Sequence, residues 1–257
     1  MRLLTTLAIA ATFLGSTLSA PAIAQDSFDA TEKQDIEKIV RDYLVTNPEV
    51  LVEAMNALQQ KQDAEQKTAQ ADVIAKARDQ LHSAPEGMVL GNPDGDVTVT
   101  EFFDYNCGYC RQALADMTAL IEEDDNVRFV LKEFPILGMG SLEASRVSMA
   151  FRDLAPEKYR EFHETLLSKR GSADKASALQ VAEDLGVDPA KIEDIMASST
   201  NMKALQEIQV LANDLRINGT PSYVIGEEVI QARVGTEGLK SAVAAMRECG
   251  KPDCGDS

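Results

Sequence analysis

The chain has 257 residues, with 42 acidic side chains against 25 basic ones and a formal net charge of -17 at pH 7. A chain this acidic lacks the basic surface that attracts nucleic acid, which excludes nucleic-acid binding, and anionic membrane surfaces should repel it. The length is sufficient for one large domain, for two domains, or for one ordinary domain with an extension.

The N-terminus has the pattern of a secretory signal peptide. Arg2 precedes the apolar run LLTTLAIAATFLG, and the small residues AIA at 22–24 offer a cleavage site before Gln25. The run is shorter than the roughly 20 apolar residues that span a bilayer, which favours a cleaved signal over a membrane anchor. We therefore predict that residues 1–24 are removed and that the protein is periplasmic, in an oxidising compartment that permits disulfide chemistry.

Two helices are predicted before the main domain. In residues 31–45 the apolar side chains follow the 3.6-residue period of a helix, at Ile36, Ile39, Val40, Tyr43 and Leu44. A second helix should run from Pro48 to about His82, although its segment QQKQDAEQKTAQA is polar on all sides and would cross solvent. We therefore predict an N-terminal extension over residues 25–83, whose residues 31–82 form a stalk that assembles a homo-oligomer. The alternative is a helix pair folded back onto the main domain.

The pattern changes from Met88 onwards to that of an α/β domain. The segments MVL and VTVTEFF predict strands, CGYCRQALADMTALIEE a helix and VRFVLKEF a third strand, which gives a βαβ unit. Residues 141–217 look helical, and TPSYVIG and EVIQARVG predict a hairpin before a last helix. The sequence thus predicts a small α/β sheet with a helical insertion at about 139–217, in a domain over 84–248 with a tail at 249–257.

Four cysteines form two pairs, of which Cys107 and Cys110 occupy the junction between a strand and a helix. A zinc site built from both pairs is conceivable by count, and a structural bridge would close only a tiny loop. A redox couple is favoured, because the helix N-terminus stabilises a thiolate at Cys107 and Cys110 faces the same side. One thiol can then attack a disulfide while its neighbour resolves the mixed disulfide.

The second pair, Cys249 and Cys254, encloses the turn-forming sequence GKPD in the polar tail. A local structural disulfide and a second redox pair that relays electrons to Cys107 and Cys110 both fit this spacing. The first is favoured, and the spacing alone does not separate them.

Two motifs together, EFFDYNCGYC and the later GTPSYVIG, resemble the thioredoxin-fold DsbA family of exported thiol-disulfide oxidoreductases over residues 88–248. The resemblance implies that Cys107 is the exposed nucleophile and Cys110 the buried resolving cysteine. It also implies that Pro221 is the cis-proline facing the active site, with Thr220 before it. A proline there has no N–H, and the backbone before it can pair with an extended substrate strand.

Glu101 lies six residues before Cys107 and matches the family's buried acid. Its alternation with Val97 and Val99 places it on an otherwise apolar face, where burial would raise its pKa and let it shuttle a proton for Cys110. Lys132 on the neighbouring strand is either its charge partner or a solvent-facing lysine.

The residues between the cysteines bear on the direction of electron flow. Gly108 and Tyr109 bring no charge, which favours a couple less oxidising than the extreme of the DsbA family. Together with Thr220 they are similar to the disulfide isomerase DsbC, and the extension resembles the stalks of trimeric proteins of the ScsC type. The resemblance implies an isomerase or reductase that needs no cofactor and no metal, and that binds substrate through Gly108, Tyr109, Thr220 and Pro221. Its partners would be cysteine-containing exported proteins and a membrane redox partner that resets the couple.

Two other functions fit the same residues. One is a DsbA-like protein disulfide oxidase, which would use the same couple in the opposite direction. The other is a copper-binding or scaffolding protein, in which the cysteines bind Cu(I) or the stalk acts alone.

Overall fold

The structure is a computed structural model that describes residues 28–197 and 200–255, without the side chains of residues 200 and 201. The predicted signal peptide lies outside the described residues. The chain divides into two units between Gln59 and Gln60. None of the helices within the described ranges has both the length and the apolar character needed to cross a membrane.

The first unit contains helix α1, Ala30–Thr46, and the start of helix α2, Glu49–Lys76. A capping box begins α1, because the Asp29 carboxylate accepts the N–H groups of residues 31 and 32 and the Glu32 carboxylate accepts the Asp29 N–H. No side chain of α1 is buried. The unit leaves large apolar side chains exposed, at Phe28, Ile36, Ile39, Val40, Tyr43, Val45, Leu51, Val52, Met55 and Leu58.

The second unit begins inside α2, earlier than the predicted boundary near residue 83. The single helix expected from Pro48 to His82 is interrupted at Ala77 and continues as α3, Arg78–His82. Ile74 and Leu81 are buried in a core cluster that also contains Phe102 and Phe134. This burial is the physical reason that residues 60–82 belong with the main domain.

The sheet of the second unit has five strands, and a helix joins the second strand to the third. The bounds are Val89–Gly91 for β1, Val97–Phe103 for β2, Gly108–Glu123 for α4, Val127–Glu133 for β3, Ser222–Ile225 for β4 and Glu228–Gln231 for β5. The strand order in the sheet is β1-β3-β2-β4-β5. Strands β2 and β3 are parallel, whereas the other three pairings are antiparallel. The predicted βαβ unit and the predicted hairpin are therefore present.

The predicted helical insertion lies between β3 and β4, and a last helix follows β5. Glycine or proline occurs near three of its breaks, as the sequence indicated, and a further break lies between the fourth and fifth helices of the insertion. The helices are α5, Met139–Leu154, α6, Tyr159–Ser168, α7, Lys175–Asp184, α8, Pro189–Met196, α9, Thr200–Asp214, and α10, Gly235–Cys249, with a 3-10 turn at Pro156–Lys158.

Strand β2 carries side chains into two separate core clusters. Val99 and Phe103 pack in the larger cluster, together with the inner faces of α4 and the insertion. Phe102 points to the opposite face and packs in the smaller cluster. A strand buried on both faces in this way can place a polar side chain in the core beside the residues that follow it.

Glu133 at the end of β3 is fully buried, and its Oε1 accepts hydrogen bonds from Ser148 Oγ at 2.8 Å and Tyr159 OH at 3.2 Å. Burial raises the pKa of this carboxyl to about 7, although the hydrogen bonds partly offset the effect. The folded chain therefore keeps a proton that the unfolded chain loses near pH 4.5. Stability supplied by this group is present below about pH 4.5 and is lost as the pH rises through about 7.

Between pH 5 and pH 8 the free energy of unfolding of the wild type should fall by roughly 2–3 kcal/mol more than that of Glu133→Gln. Chemical denaturation of the oxidised protein at both pH values measures this difference. Glu122→Gln, at an exposed position, is the matched control. Equal pH dependence of Glu133→Gln and the wild type would show that Glu133 does not titrate in this range.

Candidate active site

Asp104 holds the turn that delivers Cys107 from strand β2 to helix α4. Its Oδ1 accepts the Asn106 N–H at 2.7 Å, and its Oδ2 accepts the N–H groups of Ile136 and Leu137 at 2.8 and 2.9 Å. Cys107 then occupies the N-cap position of α4. The turn before the cysteine is therefore tied to the segment that follows β3.

The two cysteines of the first pair lie together at the start of α4, and both are free thiols in the structure. The Cys110 N–H donates to Cys107 Sγ at 3.4 Å. Cys107 is 6% exposed and Cys110 is fully enclosed. Cys107 is thus less exposed than the resemblance implies, because its Sγ lies 3.0 Å from the Thr220 carbonyl oxygen, to which it donates.

The environments of these two thiols separate their acidities. The pKa of Cys107 is lowered to about 5, chiefly by a hydrogen bond from the Cys110 side chain. The Thr220 side chain and the N–H groups of Cys110 and Tyr109 add to this lowering, against the effect of burial. Burial raises the pKa of Cys110 far above its ordinary value, and the charges of Glu101 and Cys107 add to this. At neutral pH the arrangement gives a thiolate at Cys107 beside a protonated thiol at Cys110.

Glu101 lies in the middle of β2, paired with Leu131 on β3 and with Tyr223 on β4. It is 3% exposed, and burial, followed by the charges of Asp116 and Cys107, raises its pKa to about 8. Its charge also acts on the Cys110 thiol. A carboxyl with these properties can exchange a proton with a neighbouring group near neutral pH.

Lys132 is neither the charge partner of Glu101 nor a solvent-facing lysine, the two positions expected from the sequence. It stands opposite Phe102 in the register, whereas Glu101 stands opposite Leu131. Its ammonium group donates to the carbonyl oxygens of Gln80 and Ser83 at 2.8 and 2.6 Å, and the residue is 7% exposed. Both expectations were wrong because β3 is buried on both faces, so alternation along the strand does not identify a solvent side.

The Thr220–Pro221 peptide bond is cis and forms one wall of a groove beside Cys107. The groove encloses about 490 Å³. Its lining consists of Tyr109, residues 218–222 around the cis bond, and residues 231–233, which are the last residue of β5 and the two that follow it. Tyr109 is 65% exposed at this groove, whereas Gly108 lines a neighbouring polar cavity together with Asn106 and Arg111.

Three residues near the site were not predicted from the sequence. Asp116 is 4% exposed on the inner side of α4 and bonds to Arg233, and the Tyr223 hydroxyl is buried without a hydrogen-bond partner among the described residues. A charged residue beside the apolar stripe of α4 was the available signal for Asp116. The sequence carried no such signal for Arg233, because Arg233 lies 117 residues from Asp116 in the chain.

Cys249 and Cys254 are joined by a disulfide in the structure, at the end of α10. Their sulfurs are therefore not free thiolates. Across the described ranges, no group of three or more histidine, cysteine, aspartate and glutamate side chains is arranged to hold a metal ion.

Comparisons with known families match two parts of the chain. Residues 98–245 match the model of the DSBA-like thioredoxin domain. Residues 32–65 match the model described as the copper resistance protein ScsC N-terminal domain.

Solved structures and curated proteins give similar matches. A thioredoxin-like oxidoreductase from Silicibacter pomeroyi is 40% identical, with a TM-score of 0.63 over 67% of this chain and 98% of that one. ScsC from Proteus mirabilis in a transitional conformation is 29% identical, with a TM-score of 0.59 over 83% of this chain and 94% of that one. The thiol:disulfide interchange protein DsbA of Bordetella pertussis is 28% identical over 51% of this chain and 64% of its own length.

Two sodium/proton antiporters, NhaA 1 of Salinispora arenicola and NhaA 3 of Salinispora tropica, match at 25% and 24% identity over 61% and 60% of this chain. The chain spans 24% of the length of each antiporter.

Proposed function

The chain belongs to the family of DSBA-like thioredoxin domains, whose model matches residues 98–245, and from this we propose that it is an exported thiol-disulfide oxidoreductase with isomerase or reductase activity. The family membership confirms the fold class and the resemblance predicted from the sequence. Export to the periplasm is part of the proposal and rests on the signal-peptide pattern of residues 1–24.

The observation that carries the proposal is the asymmetry of the cysteine pair beside the cis-proline groove. Cys107, with a pKa of about 5, is a thiolate at neutral pH, whereas the enclosed Cys110 keeps its proton. The Cys107 sulfur lies against the Thr220 carbonyl at the groove wall, where an extended substrate segment can pair with the backbone. Such a pair attacks with one sulfur and resolves with the other.

The chemistry proceeds from the thiolate. Cys107 attacks one sulfur of a substrate disulfide, which breaks that disulfide and releases the other substrate sulfur as a thiolate that takes up a proton. In reduction, Glu101 in its ionised form accepts the Cys110 proton, and the Cys110 sulfur attacks Cys107. The second substrate thiol is then released, two electrons have passed to the substrate, and Cys107 and Cys110 are joined. In isomerisation, a substrate thiolate instead displaces Cys107, and the protein returns in its reduced form.

Three observations, together with the oligomeric stalk proposed below, support isomerase or reductase activity over oxidation. The dipeptide between the cysteines is uncharged, and threonine precedes the cis-proline. The pKa of Cys107, about 5, lies between the values of about 3.5 and 7 typical of a strong oxidant and of thioredoxin. An oligomeric stalk, as proposed below, would surround a misfolded substrate with several active sites.

Refolding of a scrambled, disulfide-rich protein tests the direction of the reaction. We expect the reduced chain to accelerate recovery of the native protein over a Cys107→Ser control, with catalytic amounts and no added oxidant. Acceleration seen only from reduced substrate with the oxidised chain would instead support the DsbA-like oxidase.

The copper alternative is favoured by one observation, the name of the family that matches residues 32–65. Thiolates such as the Cys107 and Cys110 pair are suitable ligands for Cu(I). Cu(I) titration of a Cys107→Ser/Cys110→Ser double variant tests this alternative. Full binding by the variant would support a separate copper site, and loss of binding would assign copper to the redox pair.

We extend the proposal to a homo-oligomer assembled through the N-terminal extension. Among the described residues of the first unit, ten large apolar side chains are exposed. Ile36, Ile39, Val40 and Tyr43 of α1 follow one helical stripe, whereas Val45 lies on the opposite side of the helix. An exposed apolar stripe of this kind is usually covered by another protein surface. A second copy of the same stripe is the simplest cover, since coiled helices bury such residues against one another.

We expect Ile39→Glu to convert the oligomer into a monomer, because the substitution puts a charge in the middle of the stripe. Light scattering of the full chain measures the mass. Gln34→Glu, which adds the same charge on the exposed opposite side of α1, is the matched control and should stay oligomeric. A chain beginning at Gln60, where the second unit starts, should also be monomeric. If the Ile39→Glu variant and the chain beginning at Gln60 both keep the subunit number of the full chain, the proposed stalk is contradicted.

A further inference from the structure

Arg233, which follows β5 at the rim of the groove, is held in place by a buried carboxylate. Asp116 of α4 is 4% exposed, and its Oδ2 lies 2.5 Å from Arg233 Nε. Arg233 Nη2 donates to the Oδ1 of the same carboxylate at 2.7 Å, and Thr236 Oγ1 donates to it at 3.0 Å. The guanidinium is therefore bound along one side by a hydrogen bond from Nη2 and by a close charge contact at Nε that lies outside hydrogen-bond geometry.

The other edge of the guanidinium remains available. Arginine has five N–H donors in a planar fork, and Asp116 accepts one from Nη2 and lies in charge contact with the Nε side. Within the described part of the chain, Nη1 has no hydrogen-bond partner, and the side chain is 33% exposed. Of the described residues that line the groove, Arg233 alone carries a charge.

The backbone fixes this edge next to the cis-proline. The Ala232 N–H donates to the Pro221 carbonyl oxygen at 3.2 Å. Ala232 has a φ of 121°, in a region that glycine favours and that costs other residues about 1–3 kcal/mol. The fold thus keeps an unfavourable conformation at the residue before Arg233, where the chain must meet both the cis-proline loop and Asp116.

We propose that Arg233 is a specificity-determining residue, which binds an acidic side chain of the substrate segment lying in the groove, and that Asp116 is its positioning residue. The free Nη1 and Nη2 edge can hold a second carboxylate in the two-contact geometry that an amide cannot match. Because the chain carries a net charge of -17, its long-range field disfavours acidic substrates, so any preference for them must arise at the groove. The inference rests on the proposed function, in which a substrate cysteine reaches Cys107 through this groove.

Matched peptides test the inference with the full chain in its reduced form. Each peptide has blocked termini and one cysteine joined as a disulfide to neutral 2-mercaptoethanol, and the two members of a pair differ only by aspartate or asparagine beside the cysteine. We expect the wild type to react about fivefold faster with the aspartate peptide at low salt, the size of a favourable exposed charge pair. In Arg233→Gln the ratio of the two rates should fall to one or below, because the net negative charge of the chain then acts without the local arginine.

Lys203→Gln is the matched control, because it removes one exposed positive charge outside the groove and should keep the wild-type ratio. Arg233→Lys, which keeps the charge but not the planar fork, should at least halve the ratio, and it replaces Arg233→Gln if that variant does not fold. Equal ratios in the wild type and either Arg233 variant, or no preference in the wild type, would overturn the inference. If the wild type reacts with neither peptide, the proposed function fails instead. In that case the inference is tested with peptides in which serine replaces the cysteine. NMR titration measures their affinities, and the ratio of the affinities for the aspartate and asparagine peptides is compared between the wild type and the Arg233 variants.

Discussion

Replacing Cys107 by serine is expected to abolish thiol-disulfide exchange, with a loss of at least about three orders of magnitude in rate. Cys107 provides the thiolate of the first step, with a pKa of about 5, and a serine hydroxyl stays protonated at neutral pH. Replacing Cys110 should have a different result. The first attack remains, but the resolving sulfur is gone, so a mixed disulfide between substrate and Cys107 should accumulate.

Mass spectrometry after acid quenching distinguishes the two outcomes, because the mixed disulfide adds the mass of the substrate. A Cys249→Ser/Cys254→Ser double variant is the control, and it should react as the wild type does if that disulfide has only a structural role. A trapped substrate on Cys110 in the Cys107→Ser variant would reverse the proposed roles. Slowed electron transfer in the control variant would support the relay role of the second pair.

Replacing Glu101 by glutamine is expected to slow the second step, attack by Cys110, by about 10- to 100-fold at pH 7. The wild-type rate of this step should rise with pH and level off near pH 8, where Glu101 becomes ionised and can accept the Cys110 proton. The variant should lack this plateau, because only the strongly raised pKa of Cys110 remains. Stopped-flow measurement of substrate release from the mixed disulfide follows the step directly.

The same substitution should stabilise the protein at alkaline pH. The pKa of Glu101 is raised from 4.5 to about 8 in the folded chain, so the stability that this group supplies is lost as the pH rises through that window. At pH 8.5 the oxidised Glu101→Gln protein should exceed the wild type by on the order of 4 kcal/mol or less. Slower chemistry combined with higher stability is typical of a functional group kept in the core.

Glu133→Gln is the matched control for the rate, since Glu133 is another buried acid of the same sheet with a raised pKa. Its hydrogen bonds go to Ser148 and Tyr159 rather than toward the cysteines. The pH profile of the second step should keep its plateau in this variant. Loss of the plateau in both variants would contradict the specific role of Glu101.

Local patterns were sufficient for one part of the site, because Glu101 and the first cysteine pair lie within ten residues of one another on a strand and a helix start. The Thr220–Pro221 wall, 113 residues from Cys107 to Thr220, was instead expected from the family resemblance. The position of Lys132 could not be obtained from a local pattern, because a strand covered on both faces has no polar side. The pairing of Asp116 with Arg233 depends on how α10, which follows Arg233 in the chain, packs against α4, and no local pattern records this packing.

The N-terminal boundary predicted near residue 83 differs from the division between Gln59 and Gln60, and the difference has a similar physical reason. The polar segment after Leu58 predicted a helix that crosses solvent, yet the same helix buries Ile74 further along. A single buried isoleucine after a long polar segment gives no periodic signal, and it becomes informative only when the partner surface of Phe102 and Phe134 is known. The extension therefore begins to pack about 20 residues earlier than the composition suggests.

The low pKa of Cys107 also governs how long a substrate stays attached. A thiolate of such low basicity is a modest nucleophile but a good leaving group in thiol-disulfide exchange. A covalent complex through Cys107 is therefore readily broken by any substrate thiolate that reaches it. Under the isomerase activity that we propose, each brief covalent encounter would end in release, and the misfolded protein could then be tested at another cysteine pairing.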